Sequence, residues 1–192
     1  MTKLILASLA AAVAVLPSAA SAQALSAPVV AVVDVQRATG QCNACKTALT
    51  QLEGQLNALK ALQSSLETPL RTEAAALQAA ATALNGKAPD AALQARATAF
   101  ERKQSDAQRQ LAAREQTFQR NRTYVLQQIS TKLNPALTSV MAKRGANLMI
   151  DAANVMRAAP GIDVTADVIA ALNASLTSIA TTAPAQAAPT SR

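Results

Sequence analysis

The 192-residue chain lacks histidine and tryptophan and has only one tyrosine and two phenylalanines. Without histidine it cannot carry a Ser-His-Asp triad, a Cys-His pair or a His-ligated metal site. Its five glycines form no GxxxxGK[ST] phosphate loop, so we expect no nucleotide-driven activity and no cofactor. The apolar fraction of 51% comes mainly from Ala and Leu. Because alanine buries little area, the core should be thin. With the chemistries above missing, we do not expect an enzyme.

Residues 1–22 have the organisation of an export signal. Lys3 precedes the apolar run LILASLAAAVAVL, and SAASAQA supplies small residues for cleavage, so the mature chain is predicted to start near Gln23. The alternative is a transmembrane anchor. It is disfavoured because the run from Leu4 to Leu16 is too short for a bilayer core of about 30 Å and Pro17 ends it. We therefore expect an exported, periplasmic protein.

Residues 23–41 are predicted to supply one strand. The stretch VVAVVDV (29–35) follows Pro28 and is dominated by β-branched residues, as is typical of a buried strand. A break at Thr39–Gly40 is expected to separate this strand from the next segment.

Residues 42–144 are predicted to form a long antiparallel helical hairpin. Leucines of the first arm recur at two heptad positions, the pattern of a coiled coil. At about 1.5 Å per residue this arm would be on the order of 60 Å long. Asn85–Pro89 turns the chain and Asp90 is placed to cap the second arm, so the tip is 85–90. The leucines are Leu49, Leu56, Leu70, Leu77 and Leu84 at one position and Leu52, Leu59 and Leu66 at the other.

The seam of the second arm is predicted to be more polar than that of the first, because Gln104 and Arg114 interrupt it. Pro69 and Pro135 should each kink or interrupt their helix. Beyond Tyr124 the apolar stripe is predicted to shift to Leu126, Ile129, Leu133, Leu137 and Val140.

Residues 145–180 are predicted to complete the base. NLMID (147–151) and NVMR (154–157) are typical of two further short strands, and Thr165 or Asp163 should cap a final helix. The Pro/Ala-rich segment 181–192 is predicted to be disordered. The fold class is therefore α+β, mostly α, with the hairpin projecting from a small strand base. Three short strands leave open edges, so the base should self-associate.

The chain resembles the OmpH/Skp family of periplasmic chaperones. The similarity lies in VVAVVDVQRA (29–38), in the long hairpin, and most specifically in NLMIDAANVM (147–156) followed by DVTADVIAALN (163–173). The resemblance implies a homotrimer whose strands form a shared base, with three helical tentacles around a cavity. It also implies ATP-independent binding of client proteins, namely unfolded outer-membrane β-barrels, before they insert into the membrane.

The second arm is strongly basic, with ten positive and three negative side chains in residues 94–144. For a single arginine a solvated helix face remains the simpler interpretation, but the excess over the whole arm favours binding. Predicted export and the scarcity of stacking aromatics argue against nucleic acid as the partner. Lipopolysaccharide or anionic lipid headgroups are secondary candidates. The candidate client-binding residues are Arg96, Arg102, Lys103, Arg109, Arg114, Arg120 and Arg122.

A CxxC motif, Cys42 to Cys45, stands near the root of the first arm. It lacks the βαβ setting of a thioredoxin-like site, and no histidine or further cysteine is present to complete a zinc site. A structural disulfide in an oxidising compartment is the favoured interpretation, and catalytic redox chemistry is the alternative.

Two rival functions remain open at this point. One is a periplasmic coiled-coil adaptor or spacer that docks folded partners through the tip, 85–90. The other is a disulfide oxidoreductase that uses the CxxC motif.

Overall fold

The computed structural model describes residues 26–185. The predicted signal peptide, 1–22, and its cleavage point near Gln23 lie outside these residues. The predicted fold class is confirmed, because the chain is mostly helical and two long helices are joined to a small strand pair. The elements are β1 (Val30–Val33), α1 (Val35–Gln41), α2 (Asn43–Ala83), α3 (Ala91–Arg144), β2 (Leu148–Asp151) and α4 (Thr165–Ser175), with short 3-10 turns at Ala152–Asn154 and Pro160–Ile162.

The two strands pair in parallel, with Val30 opposite Leu148 and Val33 opposite Asp151. On its other edge β1 forms an isolated bridge to Asp163, so β1 has a neighbour on both sides. Among the described residues β2 pairs only with β1. One edge of β2 is therefore open.

β1 ends earlier than predicted because Asp34, the residue after it, caps a helix, whereas β2 starts one residue later than predicted and ends at Asp151 as predicted. The Asp34 carboxylate accepts a hydrogen bond from the Arg37 backbone N–H at 2.7 Å and starts α1 at Val35. The Asp151 carboxylate accepts one from the Ala153 N–H at 3.1 Å and starts a 3-10 turn. The predicted strand at 154–157 is wrong, because that turn takes the chain out of the sheet.

The predicted break at Thr39–Gly40 is also wrong, since both residues lie inside α1. The Thr39 hydroxyl donates to the Val35 carbonyl at 2.8 Å, a bond that fits within a helical turn. The chain leaves helical geometry three residues later than predicted, at Cys42, whose φ and ψ are −63° and 145°.

The arms α2 and α3 contain 41 and 54 residues. At about 1.5 Å per residue they are roughly 60 and 80 Å long. At the tip, Asn85 and Gly86 have positive φ, and the Asp90 carboxylate accepts from the Leu93 N–H at 2.8 Å. Pro69 and Pro135 lie inside continuous helices, so neither proline interrupts its helix. No helix within residues 26–185 is both long and apolar enough to cross a membrane.

The core lies at the base, where α4 packs against the root of α3 and against α1. In α3 the inward stripe begins at Val125, which is fully buried, and not at the predicted Leu126, which is 50% exposed. Spacings of four and seven residues then bring Ile129, Ala136 and Val140 to the same face. From α4, Val168 and Leu172 complete the core, and Leu176 follows directly after the helix.

The chain after α4 remains packed against the rest of the protein for several residues. Leu176 is buried and Ile179 packs against the core. Residues 180–183 then make hydrogen bonds to both arms, which differs from the disorder predicted from 181 onward. Residues 186–192 of that predicted tail lie outside the described residues.

Candidate functional site

The apolar seam between the arms is poorly covered. No side chain from residue 53 to 106 is buried, and the seam leucines there are only half-buried. Two helices alone cannot surround a leucine, because each covers only one side of the other. The arms therefore present a long strip of partly exposed apolar surface.

Three shallow grooves follow this strip from root to tip. The root groove, of about 530 Å³, is lined by Leu59, Leu62 and Phe118. The middle groove, of about 450 Å³, lies beside Pro69. The tip groove, of about 520 Å³, includes Phe100. Both phenylalanines of the chain thus line grooves between the arms.

Charge is divided unequally between the two arms. Helix α2 has three basic and three acidic side chains, whereas α3 has ten basic and three acidic ones. The positive potential of the hairpin therefore comes from α3, which lies along the same seam as the grooves.

Six of the ten basic side chains of α3 form two rows with the same spacing. Arg96, Lys103 and Arg114 are seven and eleven residues apart, and so are Arg102, Arg109 and Arg120. The second row is offset by six residues, which is about 120° around a helix. Lys103 and Arg114 line the middle and root grooves, so the first row borders the apolar seam.

The seven candidate client-binding residues differ in their ion-pair and hydrogen-bond partners. Arg96 makes a two-point ion pair with Glu73 across the arms, with N–O distances of 2.6 and 3.0 Å. This pairing raises the pKa of Arg96 and lowers the pKa of Glu73. Arg109 pairs with Asp106 on its own helix, and Arg120 donates to the Thr117 hydroxyl. Within residues 26–185 the remaining four, Arg102, Lys103, Arg114 and Arg122, make no ion pair.

Cys42 and Cys45 are joined by a disulfide, and neither residue is exposed. The Cys42 sulfur also accepts a hydrogen bond from the Cys45 N–H at 3.1 Å and so caps α2. The Asn173 side chain accepts from the adjacent Asn43 N–H at 2.7 Å and links this point to α4. Thiol–disulfide exchange requires access to a sulfur, so this buried arrangement is suited to a structural role.

A cluster of four side-chain amides at the root of the arms was not identified from the sequence. Gln51 and Gln55 of α2 and Asn121 and Gln128 of α3 contact the segment that follows α4. Glutamine is frequent throughout both arms and gives no signal by itself. Asn121 does give a signal in the sequence. It lies three residues after Phe118 and four before Val125, a spacing that places it on the inward face of the helix, where an apolar residue is expected.

The fold consists of a base, formed by two strands and the covering helix α4, and a two-helix hairpin that projects from this base. It defines a class of hairpin proteins in which the apolar seam between the two helices is partly exposed. The family model described as outer membrane protein (OmpH-like) matches residues 29–172. The chain belongs to this OmpH-like family, as its sequence resemblance predicted.

Among solved structures, the chain is similar to a crystal structure of a candidate outer membrane chaperone (OmpH-like) from Caulobacter crescentus. The TM-score is 0.65 at 24% sequence identity, and the match covers 82% of this chain and 90% of that one. This likeness shows a shared fold. No curated protein sequence matches the chain.

Proposed function

We propose that the chain is an ATP-independent periplasmic holdase. It binds unfolded outer-membrane β-barrel proteins and keeps them from aggregating before membrane insertion. Family membership and the likeness to a candidate chaperone support this role. The observation that carries the proposal is the half-buried apolar seam between residues 53 and 106, which lies beside a helix with a large excess of basic side chains.

Holding a client requires many weak contacts. An unfolded β-barrel exposes alternating apolar side chains and aromatic girdles. Covering a further 40 Å² of a seam leucine gains about 1 kcal/mol, so each contact is readily reversed. Folding of the client in the membrane removes the bound species by mass action. This activity requires neither a catalytic step nor a cofactor.

The holdase is proposed to act as a homotrimer. The open edge of β2 supports self-association, because an unpaired strand edge favours pairing with another chain. Exposed apolar side chains lie at this end of the molecule, with Val29 50% and Leu148 44% exposed. Three tethered arms raise the effective concentration of contact sites around one client. The basic side chains of α3 are also suited to binding anionic headgroups such as those of lipopolysaccharide.

The test follows light scattering after an outer-membrane barrel is diluted from urea without ATP. Mature protein is compared with a variant in which a short turn replaces residues 60–120. Leu59 and Asn121 line the same groove, so the cut ends lie close together, and every buried residue of the core is retained. We expect the mature protein to suppress scattering and the shortened variant to lose most of this effect. Full protection by the shortened variant would place the client site outside the arms.

The same light-scattering assay distinguishes the holdase from the alternative function, a coiled-coil adaptor. A protein that docks folded partners through the tip depends on residues 85–90 and leaves barrel aggregation unchanged. Replacing only that tip with a different turn should preserve protection if the seam is the client site.

A further inference from the structure

The segment that follows α4 lies in a groove between the roots of the two arms. Leu176 and Ile179 hold it through apolar contacts with the core. The next four residues, Ala180 to Ala183, are small and lie between the arms, with Ala180 and Ala183 bonded to α3 and Thr181 bonded to α2. Ala180 and Thr182 are exposed and Thr181 and Ala183 half-buried, so the segment rests on the surface of the groove.

Gln128 binds the main chain of Ala180 at two points. Its side-chain oxygen accepts from the Ala180 N–H at 3.1 Å, and its side-chain NH₂ donates to the Ala180 carbonyl at 2.8 Å. A neighbouring strand in an antiparallel ladder makes the same pair of bonds to one residue. Gln128 therefore binds main-chain atoms of Ala180 and requires no particular side chain.

Gln55 and Asn121 extend this recognition along the segment. Gln55 donates to the Thr181 carbonyl at 3.0 Å, and Asn121 accepts from the Ala183 N–H at 2.9 Å. The Asn121 NH₂ also donates to the Gln55 oxygen at 2.8 Å, so each amide holds the other in place. Asn121 is only 6% exposed, which makes this pair a fixed part of the groove.

Among the residues that the structure describes, one hydrogen bond to the segment depends on side-chain identity, the bond from the Thr181 hydroxyl to Gln51 at 2.7 Å. The four others join amide side chains to main-chain atoms of residues 180–183. Thr182 also forms part of the wall of the root groove, together with Leu59 and Phe118. A polypeptide lying along the amides thus continues directly into the apolar seam.

We propose that these four amides, the amide groove, bind the main chain of an unfolded polypeptide, and that residues 180–183 occupy the groove in cis as a displaceable internal ligand. The proposal rests on the proposed function in one respect, since the competing polypeptide is a stretch of unfolded client. The segment then sets a threshold, because a client must displace it to reach the root of the arms. The alternative is a permanent strap that only holds the two arms together.

The direct test uses a chain that ends at Ile179, which keeps both apolar anchors. The probe is a fluorescein-labelled peptide with the sequence of residues 180–192, followed by fluorescence anisotropy. We expect the shortened chain to bind the peptide at least tenfold more tightly than the full chain does. Equal binding by the two chains, or none by either, would overturn the proposal.

Two substitutions in the shortened chain locate the binding site. Gln128→Ala removes both bonds to the first residue of the peptide and should weaken binding by about thirtyfold, since each bond contributes on the order of 1 kcal/mol. Gln127→Ala is the matched control, because this neighbouring glutamine is exposed and its side chain makes no hydrogen bond within residues 26–185. Identical effects of the two substitutions would place the peptide elsewhere.

A full-length variant provides independent evidence that does not depend on truncation. Ala180→Pro removes the N–H that binds Gln128 and leaves the amide groove unchanged. We expect it to capture a urea-diluted outer-membrane barrel faster than the unmodified chain does. If it does not, while the unmodified chain still suppresses scattering, the internal ligand is disproved and the holdase function stands. If the shortened chain binds the peptide but no variant suppresses scattering, the groove stands and the holdase function fails.

Discussion

At the scale of single residues, the buried disulfide distinguishes the structural and redox interpretations of the CxxC motif. Replacing Cys42 and Cys45 together with serine should lower the free energy of unfolding by about 2 kcal/mol, the chain-entropy value for so short a loop. Urea denaturation measures this change. Protection of a barrel client should stay close to that of the unmodified protein at a temperature where both are folded. An oxidoreductase would instead lose its function completely.

Asp163 predicts a pH dependence at the same scale. Its carboxylate accepts from the Thr165 hydroxyl at 2.5 Å and the Thr165 N–H at 2.9 Å, and pairs with Arg37 at 3.1 Å. These interactions, with the Thr165 hydroxyl contributing most, lower the pKa of Asp163 in the folded chain. Its contribution to stability is therefore present above the ordinary Asp pKa of about 4 and is lost as the pH falls through the folded value.

The comparison that checks this contribution is urea unfolding of the unmodified chain and Asp163→Asn at pH 7 and pH 3. Asparagine keeps the size of the side chain and removes its charge. We expect the unmodified chain to be more stable at pH 7 and the difference to shrink at pH 3. If the difference in unfolding free energy between the two proteins is the same at both pH values, ionisation of Asp163 contributes nothing to stability.

At the scale of elements, the sequence predicts the parts whose pattern is long and periodic. The heptad leucines and the Asn85–Pro89 turn predict both arms and the tip, because many residues repeat the same signal. The strand at 154–157 was mispredicted from four residues, too few to outweigh the cap made by Asp151. The amide groove was missed because its residues come from α2, α3 and the chain after α4, which only the folded structure brings together.

The two arms also allow a matched test of electrostatic capture. One variant replaces Arg102, Arg109 and Arg120 of α3 with glutamine, and its control does the same to Lys46, Lys60 and Arg71 of α2. Five of the six side chains are exposed, and Arg120 is half-buried and donates only to the Thr117 hydroxyl. Both variants should therefore remain folded and lose the same charge. We expect only the α3 variant to capture a barrel client several-fold more slowly at low salt.

Salt provides the second measurement in that comparison. Screening acts over about 10 Å at 0.1 M, so added salt should slow the unmodified protein and the α2 variant more than the α3 variant. Stopped-flow fluorescence of a labelled barrel gives the capture rates. If the capture rate falls equally in the α2 and α3 variants, the net charge of the protein directs capture and the position of the charge on α3 does not.

At the scale of the whole molecule, the proposed assembly can be tested at the open edge of β2. Leu148 in that strand is 44% exposed, and Met156 shortly after it is fully exposed. Side chains so open to solvent contribute little to the fold of one chain. Replacing both with glutamate should therefore leave a single chain folded, whereas burying those charges between chains would cost several kcal/mol.

Sedimentation velocity at a series of protein concentrations measures the outcome. The unmodified protein should sediment as a trimer, and Leu148→Glu with Met156→Glu should shift it toward the monomer at the same concentration. Ala83→Glu with Ala92→Glu is the control, because it adds the same charge at exposed positions near the far end of the arms. If the base variant remains a trimer, the subunits join through another surface. If the unmodified protein is a monomer at every concentration, the shared base is wrong, and one pair of arms must hold a client alone.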